Sequence, residues 1–236
     1  MRMRHKKWAK PELSACPFYI PNPLQRKGQW ARLFEKQQPI YLEVGCGKGV
    51  STARMAAHTP DANFIAIDQS GDVLACTSRN VQAAFGDRPV DNILLCRGDV
   101  SQIGNILGDG DQVSRIYIQF CNPWTKLAKH AKRRLTHPRQ LLQYREFLME
   151  GGEIYFKTDD DQLFADSLRY FADCAFDPLF VTYDLHASGF EPNYPSEHEM
   201  LFAGQGIPIK FGIFKKADRQ ISIDPIRYPA GNTDDN

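Results

Sequence analysis

The stretch Tyr41-Leu42-Glu43-Val44-Gly45-Cys46-Gly47-Lys48-Gly49 decides the fold class of this chain. It places a G-x-G-x-G turn between the apolar run Ile40–Val44 and the helix-length segment Val50–His58. Glycines at such a turn let the backbone bend tightly and bring a ligand to the N-terminus of the following helix. The order of strand, glycine turn and helix predicts the first unit of a Rossmann-like sheet that binds a dinucleotide or another adenosine compound.

The same alternation continues after this unit. Four apolar runs are separated by helix-length segments; the runs are Phe64–Ile67, Ile93–Cys96, Ile116–Phe120 and Glu153–Lys157, and the segments include Asp72–Phe85, Pro138–Glu150 and Asp161–Cys174. This pattern predicts an α/β fold with a mostly parallel sheet and helices on both faces. Two later runs, Pro178–Asp184 and Ile209–Phe214, predict an antiparallel pair at one edge, around an irregular loop from His186 to about Glu199.

We expect three parts along the 236 residues: a basic N-terminal arm and helix over residues 1–38, a main α/β domain over 39–216 and a flexible tail over 217–236. The arm contains four prolines before residue 24, so we expect it to lie outside the core and to lead into a helix near Leu24–Lys36. The tail is polar, has no hydrophobic periodicity and ends in acidic residues. A hydrophobic content of 42% suffices for one large domain.

The net charge of +1 conceals two basic segments. Residues 1–10 and 126–139 contain eleven of the 29 Lys and Arg residues and no acidic residue, so the rest of the chain carries a net negative charge. No apolar run approaches the roughly 18 residues of a membrane-spanning helix, and the basic start leads into Pro11 and Glu12 rather than a signal-peptide core. We expect a cytoplasmic protein whose six scattered cysteines are reduced packing residues and bind no metal.

Three acidic residues occupy the ends of three successive predicted strands: Glu43, Asp68 and Asp99. Asp68 stands about where a ribose-binding acid belongs, Glu43 can meet a cationic group, and Asp99 can accept a hydrogen bond from an adenine amino group. S-adenosylmethionine combines these groups and carries no phosphate. An NAD enzyme is the main alternative, and Glu43 argues against it because it would repel a pyrophosphate. Each acid taken alone is also explained as a helix cap.

A basic, aromatic loop follows the fourth predicted strand. Asn122-Pro123-Trp124 joins a polar group, a stiffening proline and a ring suited to hold a planar base. Six cations follow without an acidic residue: Lys126, Lys129, Lys132, Arg133, Arg134 and Arg139. Such a run favours binding to an RNA backbone, with a solvated helix face as the alternative. Trp124 is interpreted either as a stacking ring or as a packing residue beneath the loop.

These motifs resemble the bacterial tRNA (guanine-N7-)-methyltransferase (TrmB) family. The resemblance rests on LEVGCGKG, IAID, RGD, NPWxK with HAKRRLTHPR, and FKTDD, and it extends from Arg2 to about Phe214. It implies a class I S-adenosylmethionine-dependent methyltransferase fold, S-adenosylmethionine as methyl donor, and a guanine in the tRNA variable loop as target. It also implies that Glu43, Asp68 and Asp99 bind the cofactor. We expect Gly45 and Gly47 of the glycine turn, and Asn122 beside the sulfonium methyl group, to bind it as well.

The resemblance also assigns substrate positions. It implies that Lys126, Asp159 and the segment Ser196-Glu197-His198-Glu199 bind the substrate, and that Asn122 stands at the catalytic position beside the cofactor. The chain departs from the family pattern in having Asn122 in place of Asp, Thr125 in place of Pro, and Ser196 and His198 in place of Thr and Tyr. The chain has one residue fewer than the family pattern between Lys126 and His130. Leu201 stands where the family has a Lys shortly after the substrate segment.

The Asn122 departure need not abolish catalysis. Guanine N7 carries a free lone pair, so methyl transfer to it requires alignment and no general base. We therefore expect an active enzyme in which Asp159 and Glu199 accept the N1–H and N2–H₂ donors of guanine. A cap of the following helix is the alternative for Asp159, and a surface charge is the alternative for Glu199. A tRNA-binding protein without turnover is the competing function, and the chain is expected to be a monomer or a homodimer.

Overall fold

The computed structural model of the protein describes residues 6–124, 128–221 and 223. Within them, eight strands form one sheet in the order β1-β4-β3-β2-β5-β6-β8-β7. The strands are β1 (Tyr19–Ile20), β2 (Ile40–Val44), β3 (Asn63–Asp68), β4 (Ile93–Arg97), β5 (Val113–Gln119), β6 (Leu148–Thr158), β7 (Phe176–Thr182) and β8 (Lys210–Lys216). Strands β1 to β6 run parallel, and β8 is antiparallel to both β6 and β7. The predicted sheet with an antiparallel edge is confirmed.

The helices of the described residues are α1 (Ala9–Ala15), α2 (Val50–His58), α3 (Gly71–Phe85), α4 (Pro138–Phe147), α5 (Asp161–Asp173) and α6 (Glu197–Ala203). Helix α2 connects β2 to β3 on one side of the sheet order, whereas α4 connects β5 to β6 on the other. Because parallel crossovers are right-handed, α2 and α4 cover opposite faces of the sheet. Both faces of the central strands are therefore buried, which explains why β3 is apolar from Phe64 to Ile67.

The order of the strands changes direction between β2 and β5. Ligands of open α/β sheets bind at such a point, outside the carboxyl ends of the strands. Strand β2 ends beside Glu43 and Val44, and β5 ends at Gln119. The topology therefore brings the glycine turn after β2 and the Asn122-Pro123-Trp124 loop after β5 to the same edge of the sheet.

The expectation that the N-terminal arm lies outside the core is wrong. Ala9 and Leu13 of α1 are buried, and α1 packs against α3. Trp30 is fully buried, and its Nε1 donates a hydrogen bond to the Ile106 carbonyl at 2.9 Å. The predicted helix near Leu24–Lys36 is also wrong, because this stretch forms two short 3₁₀ helices, Pro23–Arg26 and Trp30–Leu33.

Two further boundaries differ from the sequence-based prediction. Helix α4 ends at Phe147 rather than Glu150, because Leu148 already pairs with Val113 as the first residue of β6. The predicted irregular loop contains the start of α6 at Glu197. Most of the predicted tail lies outside the described residues. Helices long and apolar enough to cross a membrane are absent from the described part of the chain.

Candidate active site

The glycine turn after β2 has the conformation that its sequence predicts. Gly45, Gly47 and Gly49 have φ angles of +73°, +57° and +67°, which favour glycine. The amides of Gly45 and Cys46 donate to the Ile67 carbonyl at 2.8 and 3.0 Å, so the turn is fixed to β3. A Cβ on Gly49 would overlap the Thr77 methyl group, whereas a Cβ on Gly47 would meet no atom within 4 Å. The turn is therefore packed against α3 on one side and open at Gly47.

Glu43 is a buried acid at the open end of β2, with 4% of its surface exposed. Gln119 Nε2 donates to Glu43 Oε1 at 3.0 Å, and the Thr52 hydroxyl donates to Oε2. Burial raises the pKa of Glu43 to about 7, although both hydrogen bonds favour the carboxylate. A cation bound beside this buried carboxylate would favour its ionised form and be attracted to it. Glu43 is therefore suited to hold a cationic ligand.

Asp68 ends β3 and connects it to the glycine turn. Its Oδ2 accepts a hydrogen bond from Gly47 N at 3.1 Å, and its Oδ1 accepts one from Ser70 N at 2.8 Å. Burial raises the pKa of Asp68, and these backbone donors partly offset the effect. Each oxygen of this carboxylate keeps a further lone pair, the arrangement that a ribose diol requires.

Asp99 follows β4 and is exposed. Its Oδ1 accepts a hydrogen bond from Ser101 N at 2.9 Å, which caps the 3₁₀ helix Val100–Asn105. The geometry therefore matches the helix-cap alternative for Asp99. Its role toward an adenine amino group stays a prediction.

A cleft of about 260 Å³ lies between the glycine turn and the start of α6. It brings several predicted site residues together; those in its lining are Glu43, Gly45, Gly47, Ser196, Glu197 and His198. The other predicted cofactor- and substrate-binding residues that the structure describes lie outside this lining; they are Asp68, Asp99, Asn122, Asp159 and Glu199. The cleft thus joins the cofactor half of the predicted site to the first three residues of the predicted substrate segment.

Two contacts attach the substrate segment Ser196–Glu199 to this cleft, and a third, a helix cap, lies within the segment itself. The Ser196 hydroxyl caps α6 by accepting a hydrogen bond from Glu199 N at 3.2 Å. Lys48 of the glycine turn forms an exposed ion pair with Glu197 at 2.9 Å. The His198 ring stacks on Phe120 with the centroids 6.2 Å apart. Residues far apart in the chain therefore close the cleft from opposite sides.

Glu199 is fully buried, so the surface-charge alternative for it is wrong. Its Oε2 lies 3.1 Å from Lys157 Nζ, and its Oε1 accepts a hydrogen bond from Asn193 Nδ2 at 2.6 Å. His186 Nε2 lies 3.3 Å from the same oxygen. The carboxylate is thus occupied by neighbouring side chains, and its predicted contact with guanine would require a rearrangement of these contacts.

Asp159 follows β6 and is partly exposed. Asp160, rather than Asp159, caps α5, since its Oδ1 accepts a hydrogen bond from Leu163 N at 2.6 Å. The helix-cap alternative for Asp159 is therefore wrong. Burial raises the pKa of the Cys121 thiol to about 12, and the charge of Asp159 adds to this effect. Asp159 therefore lies near Cys121, which directly precedes Asn122.

The loop after β5 holds Asn122 at its surface. Asn122 is exposed, and its Oδ1 accepts a hydrogen bond from Trp124 N at 3.0 Å. The Trp124 ring is partly exposed, meets His130 edge to face at 5.7 Å and lies 5.2 Å from the Arg133 guanidinium. These contacts support the packing interpretation of Trp124 within its own loop, with part of the ring left accessible.

The predicted RNA-binding cations differ in their exposure to solvent. Arg133 is exposed and Lys132 is partly exposed. Arg134 is 4% exposed, and its Nη1 lies 2.7 Å from Asp166 Oδ2 while its Nε donates to the Pro123 carbonyl at 2.7 Å. The structure contradicts an RNA-binding role for Arg134, because its guanidinium is buried and holds the loop onto α5. Lys126 lies outside the described residues, as does the side chain of Lys129.

Sequence reasoning missed the polar residues that support Glu43 and Glu199. Gln119 and Lys157 are polar residues within the otherwise apolar ends of β5 and β6, and that interruption was the available signal. A second cavity of about 400 Å³ shares Gln119 with the cleft and is lined by Lys157 and several aromatic rings. Arg115 also lines it, with its guanidinium 4.6 Å from the Tyr41 ring and 4.3 Å from the Tyr155 ring.

Comparisons with known proteins agree with this architecture. Residues 37–201 match a family described as "Putative methyltransferase". A 16S rRNA methyltransferase, KamB, superposes with a TM-score of 0.58 at 13% identity, covering 80% of this chain and 93% of that one. A 16S rRNA (adenine(1408)-N(1))-methyltransferase from Catenulisporales acidiphilia, solved with its cosubstrate SAM, gives a TM-score of 0.54 at 14% identity, covering 82% and 91%. At these identities, the two structures establish the shared fold, that of class I methyltransferases.

Sequence relatives are much closer. A tRNA (guanine-N(7)-)-methyltransferase from Clostridium perfringens (strain SM101 / Type A) is 51% identical over 219 residues, which cover 92% of this chain and 100% of the relative. One from Clostridium botulinum (strain Eklund 17B / Type B) is 52% identical over 220 residues, with the same coverage. The chain belongs to the tRNA (guanine-N(7)-)-methyltransferase family.

Proposed function

We propose that the protein transfers the methyl group of S-adenosylmethionine to N7 of a guanine in the variable loop of tRNA. The observation that carries this proposal is the cleft in which buried Glu43 and the glycine turn face Ser196, Glu197 and His198. Membership of the tRNA (guanine-N(7)-)-methyltransferase family supports the substrate. It also leaves no support for the NAD alternative.

The groups around the cleft fit S-adenosylmethionine. Glu43 supplies a buried anion whose hydrogen-bond donors, Gln119 and Thr52, are uncharged. Asp68 supplies a carboxylate at the end of β3, and Gly47 leaves open space where a side chain would project. When bound, S-adenosylmethionine supplies an electrophilic methyl group on a positively charged sulfur. Glu43, Gly47 and Asp68 are the residues proposed to hold it.

The contribution of the protein to the chemistry is placement. Because guanine N7 attacks with its own lone pair, no side chain has to remove a proton. Asn122 contributes a carbonyl oxygen whose direction is set by the hydrogen bond from Trp124 N. The amide can orient a neighbouring group but carries no charge, so it gives less electrostatic stabilisation than a carboxylate. The protein therefore acts chiefly by aligning N7 with the methyl group.

Binding of tRNA is assigned to the loop that follows Asn122. Arg133 is exposed there, and Lys132 is partly exposed. Arg134 supports them indirectly, because its ion pair with Asp166 fixes the loop to α5. Phosphates bound by this loop would place the RNA beside Asn122.

The test uses the full chain, isotopically labelled S-adenosylmethionine and tRNA transcribed without modification. Mass spectrometry of the digested tRNA should detect labelled N7-methylguanine, and the Glu43→Ala variant should yield little. Asn122 favours a second candidate, a tRNA-binding protein without turnover. That candidate predicts tRNA binding with no label transferred and no heat of S-adenosylmethionine binding in calorimetry, and this result would overturn the proposal.

A further inference from the structure

Lys157 is a buried lysine near the carboxyl end of β6, with 11% of its side chain exposed. Its Nζ lies 3.1 Å from Glu199 Oε2 and donates to Asn193 Oδ1 at 2.5 Å. Asn193 in turn donates to Glu199 Oε1 at 2.6 Å. The three side chains thus form a closed set of contacts that ties both ends of the segment 193–199 to the sheet.

Lys157 also lies close to Glu43, because it pairs with Gln119 across β5 and β6, and Gln119 Nε2 donates to Glu43 Oε1 at 3.0 Å. Burial lowers the pKa of Lys157, and the charges of Glu199 and Glu43 oppose this effect. In the opposite direction, Lys157 lowers the pKa of Glu43 and so works against the effect of burial there. One buried cation therefore stabilises two buried carboxylates, one in the cofactor cleft and one in the substrate segment.

Other ionisable groups also act on Glu43. Asp68 on β3 opposes ionisation of Glu43 by raising its pKa. Tyr117 on β5 and Cys46 in the glycine turn have raised pKa values, chiefly from burial, and both are neutral at physiological pH. Lys157 is therefore the cation that acts on Glu43 among the described groups near it.

A second connection joins the same two regions through uncharged groups. Gln119 Nε2 donates to Glu43 and also lies 3.1 Å from Ser51 Oγ. The Ser51 hydroxyl donates to the Tyr194 carbonyl at 2.7 Å. The segment 193–199 is thus held beside Glu43 at Tyr194 through Ser51, as well as at Asn193 and Glu199 through Lys157.

We propose that Lys157 is a positioning residue for both halves of the site: it fixes the segment 193–199 for tRNA binding and stabilises ionised Glu43 for cofactor binding. The proposal rests on the proposed function. Loss of the cation should therefore change two measurements that do not depend on turnover. One is the pH dependence of S-adenosylmethionine binding, and the other is the affinity for tRNA.

The main test compares Lys157→Met with Lys157→Arg in the full chain. Calorimetric titration with S-adenosylmethionine between pH 5.5 and 8.5 should show that Lys157→Met moves the midpoint of the pH dependence upward by at least about half a unit. Filter binding should show at least a tenfold weaker affinity for unmodified tRNA, since Glu199 loses the buried cation beside it. Lys157→Arg retains the charge and should restore the midpoint.

The chain offers a matched control. Lys216 is a similarly buried lysine of β8, paired with Glu150 at 2.7 Å and bonded to the carbonyls of Arg145 and Leu148. Lys216→Met should lower thermal stability without moving the pH midpoint or the tRNA affinity. Equal effects of Lys216→Met and Lys157→Met would reduce Lys157 to a purely structural role.

Asn193→Ala keeps the test decisive if Lys157→Met does not fold. It removes a contact but no charge, so it should weaken tRNA binding and leave the pH midpoint in place. This inference alone would be overturned by three results together. The wild type would methylate tRNA, Asn193→Ala would bind tRNA as tightly as the wild type, and the pH midpoint would not move in the lysine variants that fold. A wild-type protein that transfers no methyl group would instead overturn the proposed function.

Discussion

Gln119 Nε2 donates a hydrogen bond to Glu43 Oε1 across 3.0 Å, joining the end of β5 to the end of β2 at the point where the sheet order reverses. The other carboxylate oxygen accepts from the Thr52 hydroxyl. Both donors are uncharged, so they hold the carboxyl group in place without compensating a full negative charge. This explains how an acid that is well hydrogen-bonded can still have a pKa raised by burial to about 7.

Binding of S-adenosylmethionine should therefore tighten as the pH rises toward 7. Below that value Glu43 is increasingly protonated, so a cationic ligand must displace its proton, and affinity should fall by up to about tenfold per pH unit. Calorimetry from pH 5.5 to 7.5 measures the slope. Titrations in two buffers with different ionisation enthalpies should reveal proton release below pH 7. An affinity that stays constant over this range would contradict the assignment of Glu43.

Glu43→Gln should stabilise the cofactor-free protein at high pH. The raised pKa means that ionised Glu43 costs folding free energy, which is absent below about pH 4.5 and grows until the pH passes 7. The shift from 4.5 to about 7 corresponds to about 3 kcal/mol at most. Thermal unfolding at pH 8 should show a Tm several degrees above that of the wild type. The Tm difference between the variant and the wild type should shrink at pH 5. An equal Tm difference at pH 5 and pH 8 would show that ionisation of Glu43 is not its cause.

The sequence predicted the interior of the fold better than its margins. The central strands were readable because β3 and β4 are buried on both faces and therefore apolar throughout. The sequence does not predict the structure of the N-terminal arm, because this structure depends on partners far away in the chain. Asp111 accepts hydrogen bonds from the amides of Gly28 and Trp30, which lie more than 80 positions earlier. No local pattern carries such information.

The candidate site likewise contains residues whose roles the sequence predicts and residues whose roles it does not. Glu43 and the glycine turn follow from their place at the end of the first α/β strand, where the topology dictates a ligand site. The roles of Arg134 and Glu199 depend on burial by residues elsewhere in the sequence, Asp166 and Lys157. Charge patterning alone cannot distinguish an exposed Arg133 from a buried Arg134.

Gly49→Ala should disrupt the glycine turn. Its φ of +67° is strained for alanine, and the new Cβ would overlap the Thr77 methyl group. We expect at least a tenfold loss of S-adenosylmethionine affinity and a lower Tm. Gly206→Ala is the matched control, because its φ is +74° and a Cβ there would meet no atom within 4 Å. If both variants bound the cofactor equally well, the packing of the turn against α3 would not matter for binding.

Arg134→Ala should lower the stability of the protein, whereas Arg133→Ala should weaken its binding of tRNA. Removal of the buried Arg134 guanidinium leaves Asp166 without one of its partners and should destabilise the protein by about 3 kcal/mol or more in urea unfolding. Arg133→Ala should change stability by less than about 0.5 kcal/mol. It should instead weaken tRNA binding and reduce the slope of log Kd against log salt by about one. Unchanged salt dependence would remove Arg133 from the RNA contact surface.

The wild type and the Asn122→Asp variant should both methylate tRNA. Because N7 requires no base, wild-type turnover should be measurable, and the carboxylate should raise kcat by no more than about tenfold at its exposed position. Single-turnover methylation of unmodified tRNA measures this ratio. An inactive wild type that Asn122→Asp converts into an active enzyme would show that the carboxylate is indispensable.

The pairing of β1 with β4 has a consequence for the integrity of the molecule in concentrated solution. Tyr19 and Ile20 cover the parallel edge of the sheet, and α1 anchors them through Glu12, whose carboxylate pairs with Arg79 at 2.6 Å. Without residues 1–21, the backbone groups of the apolar strand β4 would be left open to another chain. A shortened protein that begins at Asn22 should therefore self-associate or precipitate, and we expect the segment that contains α1 and β1 to keep the full chain from aggregating.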